Sequence, residues 1–291
     1  MTVFNFRSRQ ERRMALQITE RDRNLFQLIS TSGVCTFEQA RQIYGTKWYH
    51  YKRIDALVKG GYLLKRASFI ELAKKGAEEI GETKYRFRHE DMRELHAEIA
   101  NIALTLNYPL VSARDIRNKY GLNRKTHLKG AIRNNDIDYF LYLLSDKATL
   151  QYITSVKAEI KAFATSGICC NAIIFAPTPK VMALFETDSC AAQELLLLPY
   201  PAGIELINNY LSFCPKKIFP DLVTSNKPYA HYETNDYYIT SLILNDLAKR
   251  TALEAYFQLQ LKKPVKIICL EKQQKFFASQ YPQAEIMPIK N

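Results

Sequence analysis

Apolar positions near the start of the chain recur at helical spacing. Thr19 is a side-chain cap, Glu20 and Asp22 place acids in a first turn, and Leu25, Phe26, Leu28 and Ile29 form one apolar face. The stretch from Ser30 to Gly33 ends that helix. Thr36 caps a second, shorter helix over Phe37–Tyr44, with Phe37, Ala40 and Ile43 inward. Gly45-Thr46 reads as a tight turn. A third helix is expected over Lys47–Lys59, with Tyr51, Ile54, Leu57 and Val58 facing the core, stopped by Gly60-Gly61. Tyr62–Arg66 and Phe69–Leu72 read as two strands joined through Ala67-Ser68, and Lys74 opens another helix through Ile80. Three short helices followed by a hairpin outline a winged helix-turn-helix over residues 18–82, preceded by a basic arm over 1–17.

Residues 81–90 are polar and basic. Glu90–Leu106 is strongly periodic through Met92, Leu95, Ile99, Ile102, Ala103 and Leu106, so 83–130 reads as a linker with a connecting helix. The pattern then changes. Strands are expected at Asp136–Leu144, Asn171–Ala176, Leu195–Leu198, Val265–Glu271 and Ala284–Ile289. Helices are expected at Thr149–Thr165, from Thr178 to Glu186, at Gly203–Phe213, in most of Thr240–Leu261, and at Lys272–Gln280. Alternating strands and helices predict an α/β domain over 131–291 with a largely parallel sheet. Residues 214–239 show no readable pattern, and no internal repeat is visible.

Charge adds a second division. Residues 1–135 hold 26 Lys/Arg and 14 Asp/Glu, whereas residues 136–291 hold 15 of each, so the whole excess of +12 lies in the first part. Segregated basic charge favours a nucleic-acid module joined to a neutral one. No apolar segment suits a secretory signal, and Leu195–Leu198 stops at Pro199, far short of a membrane span. The six cysteines make no CxxC pair and the five histidines do not cluster at ligand spacing. A cytoplasmic protein with reduced thiols, no structural zinc, no cofactor and no membrane contact is therefore expected.

If the third helix reads the major groove, its outward arc carries Thr46, Tyr49 and Arg53, flanked by Lys47, His50 and Lys52. Arg53 is the candidate for a bidentate guanine contact, and Tyr49 and His50 for a phosphate or base edge. Lys65 and Arg66 on the wing are candidates for a neighbouring groove or backbone. Trp48 is assigned to a core or interface. Catalysis finds little support, because no GxxxxGK[ST] or GxSxG pattern occurs. Asp138 followed by Glu159-Ile160-Lys161 resembles a nuclease metal set, but the latter pair falls in the helical pattern Leu150, Ile153, Val156, Ile160, Phe163.

The segments Ile18-Thr19-Glu20-Arg21-Asp22, Thr36-Phe37-Glu38-Gln39-Ala40, Tyr44-Gly45, Arg53-Ile54 with Leu57, Gly61-Tyr62-Leu63, Leu72-Ala73-Lys74-Lys75-Gly76 and His96-Ala97-Glu98-Ile99-Ala100-Asn101 carry a family likeness. In this order they resemble the replication-relaxation family of winged-helix proteins encoded by plasmids, conjugative elements and phages. The resemblance implies DNA binding for a mobile element, in control of its replication, transfer or transcription; with the sequence reading above, the expectation is a non-enzymatic double-stranded DNA-binding protein that can meet other replication or conjugation proteins. It also implies a nuclease-like α/β domain after the winged helix, opened by a Pro-Asp strand. Here Asn135 replaces that proline and the acidic second strand is missing, which suggests a degenerate nuclease-like fold used for assembly. A homodimer is expected on repeated or palindromic DNA sites. Two other readings stay open: a transcription regulator responding to a small ligand or peptide, and a Mg²⁺-dependent nuclease or nicking enzyme.

Overall fold

A computed structural model describes residues 16–45, 47–87, 89–186, 192–259 and 263–290. The chain is a mixed α/β protein. N-terminal helices with a small antiparallel sheet are followed by two mixed five-stranded sheets with helices. It divides into two compact units, Met1–Leu104 and Thr105–Asn291.

The first unit follows the capping residues closely. Helix α1, Glu20–Ser32, and helix α2, Phe37–Tyr44, each begin with a reciprocal capping box, Thr19 with Asp22 and Thr36 with Gln39. Gly45 closes α2 in the left-handed conformation. Helix α3 is Tyr49–Lys59, two residues shorter at its start than expected. Strands β2, Leu63–Arg66, and β3, Phe69–Leu72, form the hairpin. A two-residue strand β1, Cys35–Thr36, pairs with β3, which gives a three-stranded antiparallel sheet in the order β1-β3-β2. Helices α4, Lys74–Glu79, and α5, Glu90–Thr105, complete the unit. Its core joins Leu25, Phe26 and Ile29 of α1 to Ile54 and Leu57 of α3, Leu63 and Ile70 of the hairpin, and Ala100 of α5. The apolar stripe of α5 is thus used within the chain.

The second unit starts earlier than residue 131. The stretch 105–130 is no linker but supplies strand β4, Leu110–Ser112, and helix α6, Ala113–Tyr120. Strands β5, Gly130–Asn134, and β6, Ile137–Leu143, continue an antiparallel meander. Helix α7, Leu150–Thr165, crosses to β7, Asn171–Ala176, and α8, Pro179–Glu186, leads to β8, Glu194–Pro199. The sheet order is β4-β5-β6-β7-β8, with β6, β7 and β8 parallel. The β5–β6 turn is Asn135-Asp136, and Asn135 sits at φ 53°. Proline, fixed near φ −65°, cannot take that place, whereas asparagine tolerates it well.

Helix α9, Ala202–Tyr210, precedes the second sheet. Strands β9, Val223–Thr224, β10, Tyr232–Glu233, and β11, Tyr238–Ser241, form another antiparallel meander. Helix α10, Leu247–Gln258, leads to β12, Val265–Leu270, and α11, Gln274–Gln280, to β13, Glu285–Ile289. The strands β11, β12 and β13 are parallel, in the order β13-β12-β11-β10-β9. Both sheets therefore follow one scheme: a three-stranded meander, then two helix-strand crossovers. The single largely parallel sheet expected from the sequence is replaced by two mixed sheets. Among the described residues no helix is long and apolar enough to cross a membrane.

One close approach fixes α4 against the hairpin entry. A Cβ at Gly76 would lie 2.2 Å from the Tyr62 carbonyl oxygen, a backbone atom that cannot swing aside. Gly76→Ala should therefore destabilise the first unit by about 1–3 kcal/mol, the usual cost of overpacking. A thermal melt followed by circular dichroism checks this, and an unchanged melt would contradict the packing.

Candidate nucleic-acid interface

The face that α3 shows to water differs from the one its periodicity suggested. His50, Ile54 and Leu57 are its buried residues, one helical stripe at i, i+4 and i+7. Tyr51, expected at the centre of the buried face, is 46% exposed. Tyr49, Lys52 and Lys47 are exposed, as are Lys65 and Arg66 at the end of β2. Thr46 and residues 1–15, with most of the basic arm, lie outside the described residues. Trp48, expected in a core or interface, is 71% exposed at the start of α3.

Arg53 is the main correction. Its Nε donates to both Asp22 carboxylate oxygens at 2.9 and 3.2 Å, and its Nη2 donates to Asp22 Oδ2 and to the Gln17 carbonyl. The arginine is largely covered, with 12% of its side chain exposed, and Asp22 is fully buried. A guanidinium spent in this way does not reach a base edge. Tyr44 also donates its hydroxyl to Asp22, at 2.7 Å, and the Thr19 backbone N–H and hydroxyl do the same. Burial alone would raise the Asp22 carboxyl, but the hydrogen bonds from Arg53, Thr19 and Tyr44 outweigh it and hold the group below its ordinary value. His50 is likewise buried and not on the outward arc.

Among the sequence-derived candidates, Lys47, Tyr49, Lys52, Lys65 and Arg66 thus remain on the surface. The surface is also aromatic. Tyr51 stacks on Phe37 at 5.6 Å between ring centroids, Trp48 lies 6.5 Å from Tyr51, and the Lys65 ammonium sits 4.8 Å from the Phe37 ring centre.

The nuclease-like set is not assembled. Asp138 on β6 is bound by Arg133 of β5 through two hydrogen bonds, at 2.6 and 2.9 Å. Glu159 on α7 accepts the backbone N–H groups of His127 and Leu128, at 2.8 and 3.1 Å, and serves as a structural cap. Lys161 lies exposed on the same helix.

A different cluster forms in the second unit, from residues far apart in sequence and therefore invisible to spacing. Glu194 opens β8, His231 precedes β10 and Asp246 caps α10, with one donor atom of each within 4.8 Å of the others. Asp246 Oδ1 accepts the Leu195, Ala248 and Lys249 amides, while its buried Oδ2 has no hydrogen-bond partner. Three such groups suit a divalent ion in composition, but the imidazole is turned the other way. The Ser241 N–H donates to His231 Nδ1, which leaves the proton of the neutral ring on Nε2. That Nε2–H faces Asp246 Oδ2 at 3.9 Å, beyond hydrogen-bond reach. Burial keeps the ring neutral by lowering His231 to about 3. Burial, with Asp246 nearby, raises Glu194 to about 7, although Tyr139 donates to it at 2.6 Å. The cluster is arranged to keep a proton.

Comparison with known protein families, with curated proteins and with solved structures finds no match to this chain.

Two outcomes are expected. Arg53→Ala leaves the Asp22 carboxylate buried without its cation and should cost the first unit about 3–5 kcal/mol, measured by chemical denaturation. A loss below 1 kcal/mol would show that the pair does not hold the helices. For Glu194, the folded carboxyl keeps a proton between pH 4.5 and about 7 that the unfolded chain has released, so this group lowers stability as pH rises through that window. Glu194→Gln cannot ionise and still accepts from Tyr139. Its melting temperature should match the native chain near pH 4.5 and exceed it above pH 7, by about 2–4 °C for each kcal/mol. A difference independent of pH would refute the assignment.

Proposed function

We propose that the first unit is a winged helix-turn-helix and that the chain binds double-stranded DNA without enzymatic activity. The observation that carries this reading is the exposed surface of Lys47 just before α3 and of Tyr49 and Lys52 on it, together with Lys65 and Arg66 on the hairpin. The element order α1-β1-α2-α3-β2-β3 is that of a winged helix, in which the third helix enters the major groove. Phosphate contacts by these lysines and Arg66 supply affinity, and Tyr49 with Lys52 replaces Arg53 in reaching the groove. The basic charge is shared. Residues 1–104 hold 19 Lys/Arg and 13 Asp/Glu, and residues 105–291 hold 22 and 16, so each unit carries +6. In the second unit the excess lies in 105–135, which has seven Lys/Arg and one Asp.

The meander followed by helix crossovers in each sheet supports reading the second unit as a degenerate nuclease-like fold. With Asp138 and Glu159 committed to structural partners, the second unit serves assembly: a homodimer on palindromic DNA, or docking of other replication or conjugation proteins. The biological setting that fits is control of replication, transfer or transcription of a mobile element in the cytoplasm. One observation favours the ligand-responsive alternative. A cavity of about 430 Å³ in the second unit is lined by apolar groups such as Met182, Leu197, Leu206 and Phe276, with Lys272 beside them.

Lys52→Glu and Lys65→Glu in the full chain should each weaken DNA binding by about tenfold at low salt and flatten its salt dependence. Titration of labelled duplex checks this. Unaltered binding by both would contradict the interface. Ala183→Trp, which fills the cavity, should leave DNA affinity unchanged; a changed affinity would favour the ligand-responsive reading.

A further inference from the structure

The only tryptophan of the chain is also its most exposed aromatic side chain among the described residues. An indole left 71% exposed gives up burial that proteins ordinarily take, and exposed apolar groups gathered in one place mark an interaction surface. Trp48 is not isolated. It adjoins Tyr51, which stacks on Phe37, and Lys65 covers the Phe37 ring. Tyr49, 47% exposed, packs edge-on against Tyr44 on the same helix start. Lys47 and Lys52 flank these rings, and the first acid in α3 is Asp55.

A duplex offers this surface phosphates and base edges but no ring faces, because its bases are stacked on one another. Unpaired bases expose their π-faces, and aromatic side chains ringed by cations are the general solution for holding them. A second copy of the chain fits poorly. Across a twofold axis the same patch would bring Lys47, Lys52, Lys65 and Arg66 against their own copies. We infer that this face binds DNA at a point where duplex adjoins unpaired bases, with Trp48 as the stacking platform and Tyr51 as its support. The inference rests on the DNA-binding reading above and names the DNA structure that this same surface selects. The lysines hold the phosphates of the duplex side while the indole takes a displaced base. Such a preference suits a protein acting where strands have been opened.

The test uses the full chain and Trp48 emission, which reports on this site alone. A blunt duplex and the same duplex with a short unpaired internal stretch are titrated at low salt. The stretch should bind about 5- to 150-fold more tightly, the range equivalent to one stacked base, and should quench the emission. Trp48→Ala should bring the two affinities within about threefold of each other, a smaller ratio than one stacked base gives. Trp48→Phe should keep most of the preference. Because the side chain is exposed, both variants should fold, and circular dichroism verifies it. Equal affinity for the two DNAs in the native chain would overturn the inference and leave the DNA-binding reading standing. Absence of binding to either would overturn both. Self-association without DNA that shifts the emission and is lost in Trp48→Ala would assign the face to a second copy.

Discussion

Asp22 is fully buried near the start of α1, and a carboxylate removed from water must be surrounded by donors. Here the donors come from three places: the Thr19 cap, the Tyr44 hydroxyl at the end of α2, and Arg53 in the middle of α3, whose Nη2 also donates to the Gln17 carbonyl. One negative charge therefore sets the relative positions of three helices. It also sets the rotation of α3. With Arg53 drawn toward Asp22, His50, Ile54 and Leu57 face the core, and Trp48, Tyr49 and Tyr51 are turned to water. The aromatic and basic surface is a consequence of where the buried acid finds its cation.

In the second unit the ordering principle is topological. Each sheet begins as a meander and ends with parallel strands reached by helices, and parallel neighbours require such crossovers. The central strands are buried on both sides, as in Ile173, Ile174 and Phe175 of β7 or Ile267 and Ile268 of β12. The two sheets meet near Leu196 and Asp246, where the α10 cap reaches the β8 backbone. Polar groups gathered at that junction are shifted by burial toward their neutral forms, His231 downward and Glu194 upward to about 7.

Much of the first unit was legible because its signals are local. Thr19 and Thr36 satisfy amides three residues away, Gly45 takes a conformation that glycine favours, and Leu63–Arg66 and Phe69–Leu72 each open on an apolar pair and are joined by a two-residue turn. The rotation of α3 was not legible. Tyr51, Ile54, Leu57 and Val58 make as good a helical stripe as His50, Ile54 and Leu57, and only the partner of Arg53, 31 positions away, decides between them. The short strands β9 and β10 were missed because two residues carry no periodicity. Thr240–Leu261, read as mainly helix, begins as the end of β11 and turns through Asn245 at φ 49° before α10 starts. The repeat of one layout in two sheets left no repeat in the sequence, because a topology constrains burial and turn positions rather than residue identity. The charge division was real in number but did not coincide with the structural boundary, since loops and helix faces on either side of it both take cations.

The Asp22–Arg53 pair separates two kinds of position along one helix in evolutionary terms. Loss of either partner alone strands a charge in the interior, so a lineage can abandon the pair only through compensating change at both sites. Trp48, Tyr49 and Lys52, a turn or less away, carry no such linkage. Their replacement alters what the surface prefers without endangering the scaffold. A chain built this way can change the chemistry of that surface by single steps while its architecture stays fixed.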